Sequence, residues 1–416
     1  MAGALGRPAR VLLLTQLFQP EPNHLKGLEF AKAVRSAGID LRVLTGFPNY
    51  PGGKTYPGYR VTPVMREALD GVPVMRVAVF PSHDRSAVRR AATYLSFAGS
   101  ATLAASLSRF NPDIVHAYIG PMTLAIPAAA ARALRRARTL LDIQDIWPES
   151  VTASGIGWPR LVRSVSSSLC RWAYRHGDRF VVLSHGYKGV LTERGVPEHL
   201  IDVVYNWCDE TQIPHRVEGR TPRTGDQAFQ ILYAGNIGTV QGLDVVLDAA
   251  RILAERAVAV DFIVAGSGVE LPRLRARQAR ENIANVRFVG AMPREAMPRL
   301  YEEADALLLH LRDDPLSRIG IPQKTQMSLA VGRPILVGVR GDTSALVSEA
   351  GAGVAFEPES GTSLADAVAT LVRMSPAERD RLAGAGRRFY NERLSFHRGV
   401  EAVLRVYASM RGAAAA

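Results

Sequence analysis

Strand-length apolar runs alternate with helix-length amphipathic segments along nearly the whole chain, and the alternation is interrupted once and then restarts. Helices between successive strands are the crossovers that parallel pairing needs, so each half reads as a mostly parallel sheet covered by helices. In the first half the strand-like runs are residues 10–18, 40–45, 72–80, 113–118, 139–143, 179–183 and 201–205. Helical spacing covers 25–37, 85–110, 123–137, 161–176 and 187–194. Residues 209–226, with Pro214, Gly219, Pro222 and Gly225, have the composition of a linker. The rhythm then resumes with strands at 230–234, 260–265, 286–289, 306–311, 334–339 and 354–356. Helices are expected at 243–256, 271–280, 294–303, 324–330, 344–350 and 363–372. The expected organisation is a domain at 1–208, a linker at 209–226, a domain at 227–388 and a last helix in 389–416 that returns to the first domain. Two doubly wound α/β domains facing a cleft follow, with ligands at the carboxyl ends of the strands.

A chain of 416 residues is long enough for two cores. It has 51 Lys and Arg against 39 Asp and Glu, a formal net charge of +12. That excess suits an anionic ligand or surface, such as a nucleotide diphosphate, a nucleic acid or acidic lipid. The two cysteines, Cys170 and Cys208, lack neighbours at metal spacing, which points away from a zinc site or disulfide framework and toward a reducing cytoplasm. The apolar run at 11–14 is too short for a signal peptide, and no window approaches the ~20 apolar residues of a membrane span, so any membrane contact is expected to be peripheral. Residues 85–110 combine Arg85, Arg89 and Arg90 with an apolar body. That pattern fits a helix lying in a membrane interface or a core helix with a solvated basic first turn.

The stretch 229–243, FQILYAGNIGTVQGL, is a strand, a glycine turn and the start of a helix. Glycine backbone beside a helix's open N–H groups can hold a phosphate without a metal, although many such glycines only permit a turn. Gly235, Asn236, Gly238, Gln241 and Gly242 are the candidate diphosphate loop. Lys324 and Arg318, in a loop leading to a helix start, can add positive charge or form a solvated basic loop. Gly266 and Gly268, after a strand, allow a nucleotide to approach closely or simply form a turn.

In the first half, Asp145 and Glu149 lie just after a strand, where they can orient a sugar hydroxyl, relay a proton, or cap and open a helix. His116 ends the preceding strand and is either a packed histidine or a catalyst. Residues 46–60, with prolines, glycines and Tyr50, Tyr56 and Tyr59, are too punctuated for a plain connection and read as a functional loop.

The chain resembles the retaining glycosyltransferases of the GT-B fold in family four, and within it the branch that includes L-fucosamine transferases of surface polysaccharide assembly. The resemblance rests on 20–23, TGFPNYP at 45–51, QDIWPES at 144–150, YNW at 205–207, GNIG at 235–238 with Gln241-Gly242, and IPQKT at 321–325 leading to 330–335. It implies a two-Rossmann GT-B fold and sugar transfer from a nucleotide diphosphate sugar, of UDP-hexosamine type, with retention and without a metal or other cofactor. His116 and Asp145 are then the catalytic candidates, and Asn23, Asn49, Tyr50 and Glu149 the acceptor-side ones. The implied acceptor is a lipid-linked glycan at a cytoplasmic membrane face, with an anionic membrane surface as partner and no nucleic acid. A small natural-product aglycone is the alternative acceptor, and a nucleotide-sugar 2-epimerase or a non-catalytic binding homologue the alternative function.

Several positions depart from that family. Ile319 and Met327 stand where it has two sugar- and ribose-binding glutamates, Asn236 and Gln241 replace its basic phosphate pair, and Gln144 replaces a histidine.

Overall fold

A computed structural model describes residues 7–82, 86–150, 160–214 and 227–412. Most of the linker and Arg85 at the head of the basic helix lie outside them. Contacts divide the chain into two units, residues 1–205 with 400–416, and residues 206–399.

The first unit is built on an eight-stranded sheet in the order β3-β4-β2-β1-β5-β6-β7-β8. The strands are β1 (Arg10–Leu14), β2 (Asp40–Gly46), β3 (Val64–Leu69), β4 (Val72–Val77), β5 (Ile114–Ile119), β6 (Arg138–Ile143), β7 (Arg179–Val182) and β8 (Ile201–Val203). All pair in parallel except β3, which runs antiparallel to β4. The central strands are buried on both faces, which is why Val11-Leu12-Leu13-Leu14 and Ile114-Val115-His116-Ala117 read as continuous apolar runs rather than alternating ones. β1 is flanked by β2 and β5, so the strand order reverses beside it.

The second unit repeats the plan with six parallel strands in the order β11-β10-β9-β12-β13-β14. They are β9 (Phe229–Ala234), β10 (Val260–Ala265), β11 (Val286–Gly290), β12 (Ala306–His310), β13 (Ile335–Gly338) and β14 (Gly353–Ala355). Helices Asp244–Glu255 and Gly361–Arg373 bury their apolar stripes, including Val246, Leu247, Ala250, Leu253, Leu364, Val368 and Leu371, against one face. Here the order reverses between β9 and β12, which puts the loops after those two strands at the topological switch point.

The structure adds elements to those expected. β3 forms a hairpin with β4 through Asp70-Gly71, both at positive φ. Pro315–Ile319 is a short helix capped by Asp314, and Pro376–Phe389 is a separate helix opened by a Ser375/Glu378 capping box. The expected continuous helix at the C-terminus is instead a π turn at Tyr390–Leu394 followed by Phe396–Gly412.

Candidate functional site

At the switch point of the second unit, β9 ends at Ala234 and the chain turns through Gly235-Asn236-Ile237-Gly238. The loop is fixed from below. Tyr233, buried at the strand end, donates its hydroxyl proton to the Asn236 carbonyl at 2.6 Å. Gln241 Oε1 accepts the Gly238 N–H at 3.0 Å and the Asn236 side-chain amide at 3.2 Å. His310, at the end of β12 and wholly buried, donates from Nδ1 to the Gln241 carbonyl at 2.7 Å and accepts the Glu359 N–H at Nε2, 2.9 Å. Burial lowers its pKa, so the neutral tautomer fits both bonds. Gly242 adopts a left-handed conformation, where a Cβ would come within 2.9 Å of the Arg312 side chain and 3.2 Å of His310.

Lys324 lies over this loop from the first turn of helix Gln323–Val331. Its ammonium donates to the Tyr233 hydroxyl at 2.9 Å and sits 4.4 Å from the centre of that ring. A Cβ on Gly235 would be 3.8 Å from Lys324 Nζ, so the glycine leaves open the space beside the charge. No carboxylate among the described residues pairs with Lys324, and desolvation alone brings its pKa down to about 7. The helix start has no side-chain cap and no acidic residue in its first turn. A half-buried lysine with a lowered pKa, a bare glycine turn and an uncapped helix N-terminus together suit a bound oxyanion.

Other candidates in this unit have structural partners. Gly266 and Gly268 pack against the candidate loop itself: a Cβ on the first would lie 1.8 Å from the Gly235 carbonyl oxygen, and on the second 2.2 Å from that of Ile237. The two turns are further joined by the Ile237 N–H to the Ser267 carbonyl, 2.8 Å, and the Glu270 N–H to the Ile237 carbonyl, 3.1 Å. The close approach expected for a nucleotide is made by the protein's own backbone. Arg318 is also reassigned, because a bidentate pair with Asp313 at 2.7 and 2.8 Å occupies its guanidinium. Met327 is buried and Ile319 half-buried.

In the first unit β6 ends at Asp142-Ile143, and the loop after it begins with Gln144-Asp145. Asp142 is wholly buried, 3.3 Å from the Lys26 ammonium and 3.1 Å from His116 Nε2, and it accepts a bond from the Gln144 amide. These groups overcome its desolvation and hold its carboxyl below the usual range. The second nitrogen of His116, Nδ1, lies 2.6 Å from the Tyr407 hydroxyl. Burial lowers the histidine's pKa and raises that of Tyr407, so Tyr407 donates to Nδ1 and Nε2–H donates to Asp142. With both nitrogens engaged and no exposed surface, His116 is a structural residue rather than a group facing sugar or acceptor.

Asp145 differs from Asp142 in both access and partners. It keeps solvent access, and no donor or cation among the described residues pairs with it. Its crowded surroundings push its pKa up to about 6, and it lies within electrostatic reach of Tyr94, Tyr118 and Tyr187. A carboxyl in that range can hold a hydroxyl or move its proton near neutral pH.

The remaining acceptor-side candidates have local contacts. Glu149 pairs with Arg194 at 2.7 Å. Asn23 donates to the Leu17 carbonyl and accepts the Lys26 N–H, both at 2.9 Å, while Asn49 donates its amide to the Phe47 carbonyl at 2.9 Å. Tyr50 is half-buried, and its N–H goes to Glu21 Oε1 at 2.8 Å. Glu21 organises this loop: it also takes the Asn49 N–H at 2.8 Å and the Phe18 N–H at 3.3 Å. A glutamate between two prolines gives no sequence signal for that role, and neither do Tyr233 and His310, which end apolar strands.

The two units match two family models in succession. Residues 28–207 match the Glycosyl transferase 4-like domain, and residues 228–374 match Glycosyl transferases group 1. The chain belongs to the GT-B glycosyltransferases that combine these two domains, and it is a glycosyltransferase. It is 24% identical over 314 residues to the putative colanic acid biosynthesis glycosyl transferase WcaI of Escherichia coli K12, covering 73% of this chain and 76% of that protein. It is also 24% identical to the probable glycosyltransferase WbjE of Pseudomonas aeruginosa, over 61% of this chain and 64% of that one. Among solved structures, Anabaena HepE in complex with UDP and glucose superposes with a TM-score of 0.66 at 16% identity, covering 96% and 99% of the two chains. Sucrose-phosphate synthase from Thermosynechococcus elongatus gives a TM-score of 0.73 at 15% identity, covering 97% and 100%.

Proposed function

We propose that the protein transfers a hexosamine-type sugar from a UDP-linked donor to a lipid-linked glycan, with retention at the anomeric carbon, during assembly of a polysaccharide. The observation that carries the donor side is Lys324, a desolvated ammonium without a carboxylate, set over a glycine turn at the switch point of the second unit. A diphosphate is the kind of group such a site lacks. As the bond to the sugar breaks, the leaving diphosphate gains charge, and a fixed ammonium with oriented N–H groups stabilises it. Asp145 is assigned to a sugar or acceptor hydroxyl. A UDP-bound structural neighbour and a relative described as a colanic acid enzyme support the base and the pathway class.

The acceptor reading draws on the helix Ala87–Leu107. One side packs Phe97, Ala98, Ala101 and Ala105 into the core, while Val88, Leu95, Leu103 and Leu107 are 77%, 60%, 61% and 72% exposed. No acidic residue lies on the helix, and Arg89 at its head is exposed. Each basic residue near anionic lipid contributes about 1 kcal/mol, and the apolar stripe adds burial, which supports reversible attachment to a membrane face. No helix among the described residues is long and apolar enough to cross a membrane.

Incubation with a panel of nucleotide sugars, with and without lipid-linked acceptor, tests the reading. Acceptor-dependent release of UDP supports transfer. Acceptor-independent conversion indicates an epimerase, and binding without turnover indicates a non-catalytic homologue.

A further inference from the structure

We infer that a hollow at the edge of the first unit's sheet receives the hydrocarbon chain of the lipid-linked acceptor, an inference that rests on the acceptor reading above. The hollow follows from the way β3 joins the sheet. Parallel strands are reached through crossovers, and in this unit the crossover helices cover the strands they connect. β3 is instead joined to β4 by the Asp70-Gly71 hairpin, and residues 47–63 before it contain no helix. It therefore brings no helix to cover it. Helix Ala87–Leu107 packs over β2 and β4, and a cavity of about 600 Å3 is lined by residues of that helix, β4 and the β3 edge.

Its walls suit an apolar chain. Val61 and Val64 come from the β3 edge, Met75 from β4, and Leu103 and Leu107 from the helix; all but Met75 are exposed. The serines of the lining are engaged locally: Ser100 donates to the Ala78 carbonyl at 2.6 Å, and Ser108 accepts the Phe110 N–H at 3.1 Å. Among the described residues Arg66 is the one ionisable side chain of the lining, and no carboxylate contributes to it. An apolar hollow with a single cation fits an aliphatic chain attached to a phosphate. Its volume falls in the range of small-ligand sites, about 300 to 1,000 Å3.

The same helix ties the hollow to Asp145. Tyr94 meets Trp147, two residues after Asp145, edge-on with ring centres 6.1 Å apart. Leu103 lies nine residues further along the helix than Tyr94, about 14 Å along its axis. That interval places the sugar end of an amphiphile at Asp145 and its chain in the hollow, the arrangement a lipid-linked glycan requires. A bilayer surface would instead engage the exposed apolar residues of the helix alike, including Val88 and Leu95, which lie outside the lining.

Farnesyl phosphate and isopentenyl phosphate, titrated into the full chain with UDP present, compare a long chain with a short one on the same headgroup. Saturable binding of farnesyl phosphate alone supports the hollow if Val64→Gln with Leu103→Gln weakens it at least tenfold and Val88→Gln with Leu95→Gln leaves it unchanged. All four positions are exposed, so both double variants keep the fold. The Val64 and Leu103 pair should also raise the KM for a lipid-linked acceptor in detergent at least tenfold. Equal losses in the two variants mean adsorption to any apolar surface and overturn the site, as does the absence of saturable binding. A dimer in sedimentation that only the Val64 and Leu103 pair dissociates, with farnesyl phosphate silent, assigns the hollow to a second copy of the chain and overturns it as well. Acceptor-dependent UDP release without farnesyl phosphate binding overturns the hollow and leaves the functional reading standing. Farnesyl phosphate binding without transfer to any lipid-linked acceptor overturns that reading and leaves the hollow as a lipid site.

Discussion

Donor binding should weaken as the Lys324 ammonium loses its proton. In the free protein that group titrates near pH 7, far below the 10.5 of an ordinary lysine, because it is desolvated without a counter-charge. A diphosphate supplies the counter-charge and raises the pKa again. A terminal phosphate with a second pKa near 6 is almost fully ionised from pH 7 upward, so changes above pH 7 belong to the protein. If only the ammonium form binds, affinity for UDP falls roughly 50-fold between pH 7 and pH 9. Lys324→Met keeps the apolar stem and removes the charge. It should lower affinity at pH 7 by about 1.5 to 3 kcal/mol and abolish the decline toward pH 9.

The unliganded protein should show the opposite trend in stability. Between about pH 7 and 10 the unfolded lysine holds a proton that the folded one has released, so this group makes the fold more stable as pH rises. Below about pH 7 both states are protonated and the whole desolvation penalty is felt. Saturating UDP, by raising the folded pKa, should flatten that rise. Calorimetry with UDP at pH 7, 8 and 9, beside melting curves without ligand, measures both effects. Equal slopes for the parent and Lys324→Met, or unchanged affinity in the variant, would refute the assignment of Lys324 to the diphosphate.

The two glycine turns should respond differently to alanine. Gly235→Ala places a methyl beside Lys324 at a strained φ of +153° and should eliminate nucleotide binding with a modest fall in melting temperature, whereas Gly266→Ala drives a methyl into the Gly235 carbonyl and should destabilise the second unit itself. Asp145→Asn should reduce turnover by 100-fold or more, on the order expected for a lost acid–base group, and remove an acidic limb near pH 6 from the parent's rate profile; a parent-like profile would contradict its role. His116→Ala should lower stability by about 1 to 3 kcal/mol for each of Tyr407 and Asp142 left short of a partner, while turnover at a permissive temperature stays near that of the parent.

The parallel rhythm was legible because buried strands leave continuous apolar runs and their crossover helices leave amphipathic ones. β3 had no such mark: it is an edge strand, none of its residues is buried, and Val-Met-Arg-Glu-Ala-Leu follows no clear alternation. The Asp70-Gly71 turn signal was nevertheless present. Helix Pro376–Phe389 was obscured in the same way, since Gly386 alone is buried along it, although Ser375 and Glu378 spell a capping box. At the candidate site, the glycine pattern revealed the turn but not what each glycine touches. Gly266 is needed by Gly235, thirty-one positions earlier, and such pairing becomes visible only when β9 and β10 lie side by side. The availability of Lys324 similarly depends on Tyr233, 91 positions away.

Two pairs of residues within this chain separate structural charge from charge left for a ligand. Lys26 and Lys324 both lie at or just before the start of a helix, but Lys26 reaches the buried carboxylate of Asp142 at 3.3 Å, whereas Lys324 reaches a neutral phenol at 2.9 Å. Asp142 and Asp145 stand three residues apart, the first at the end of β6 and the second in the loop that follows it. Asp142 is enclosed by Lys26, His116 and Gln144 and held below its usual pKa, while Asp145 has solvent on one side, no cation paired with it among the described residues, and a pKa raised to about 6. A fold gains nothing from a desolvated charge without a partner, so where one persists its compensation comes from outside the chain. By that criterion Lys26, Asp142 and His116 hold the first unit together, and Lys324 and Asp145 are the groups proposed to meet substrate.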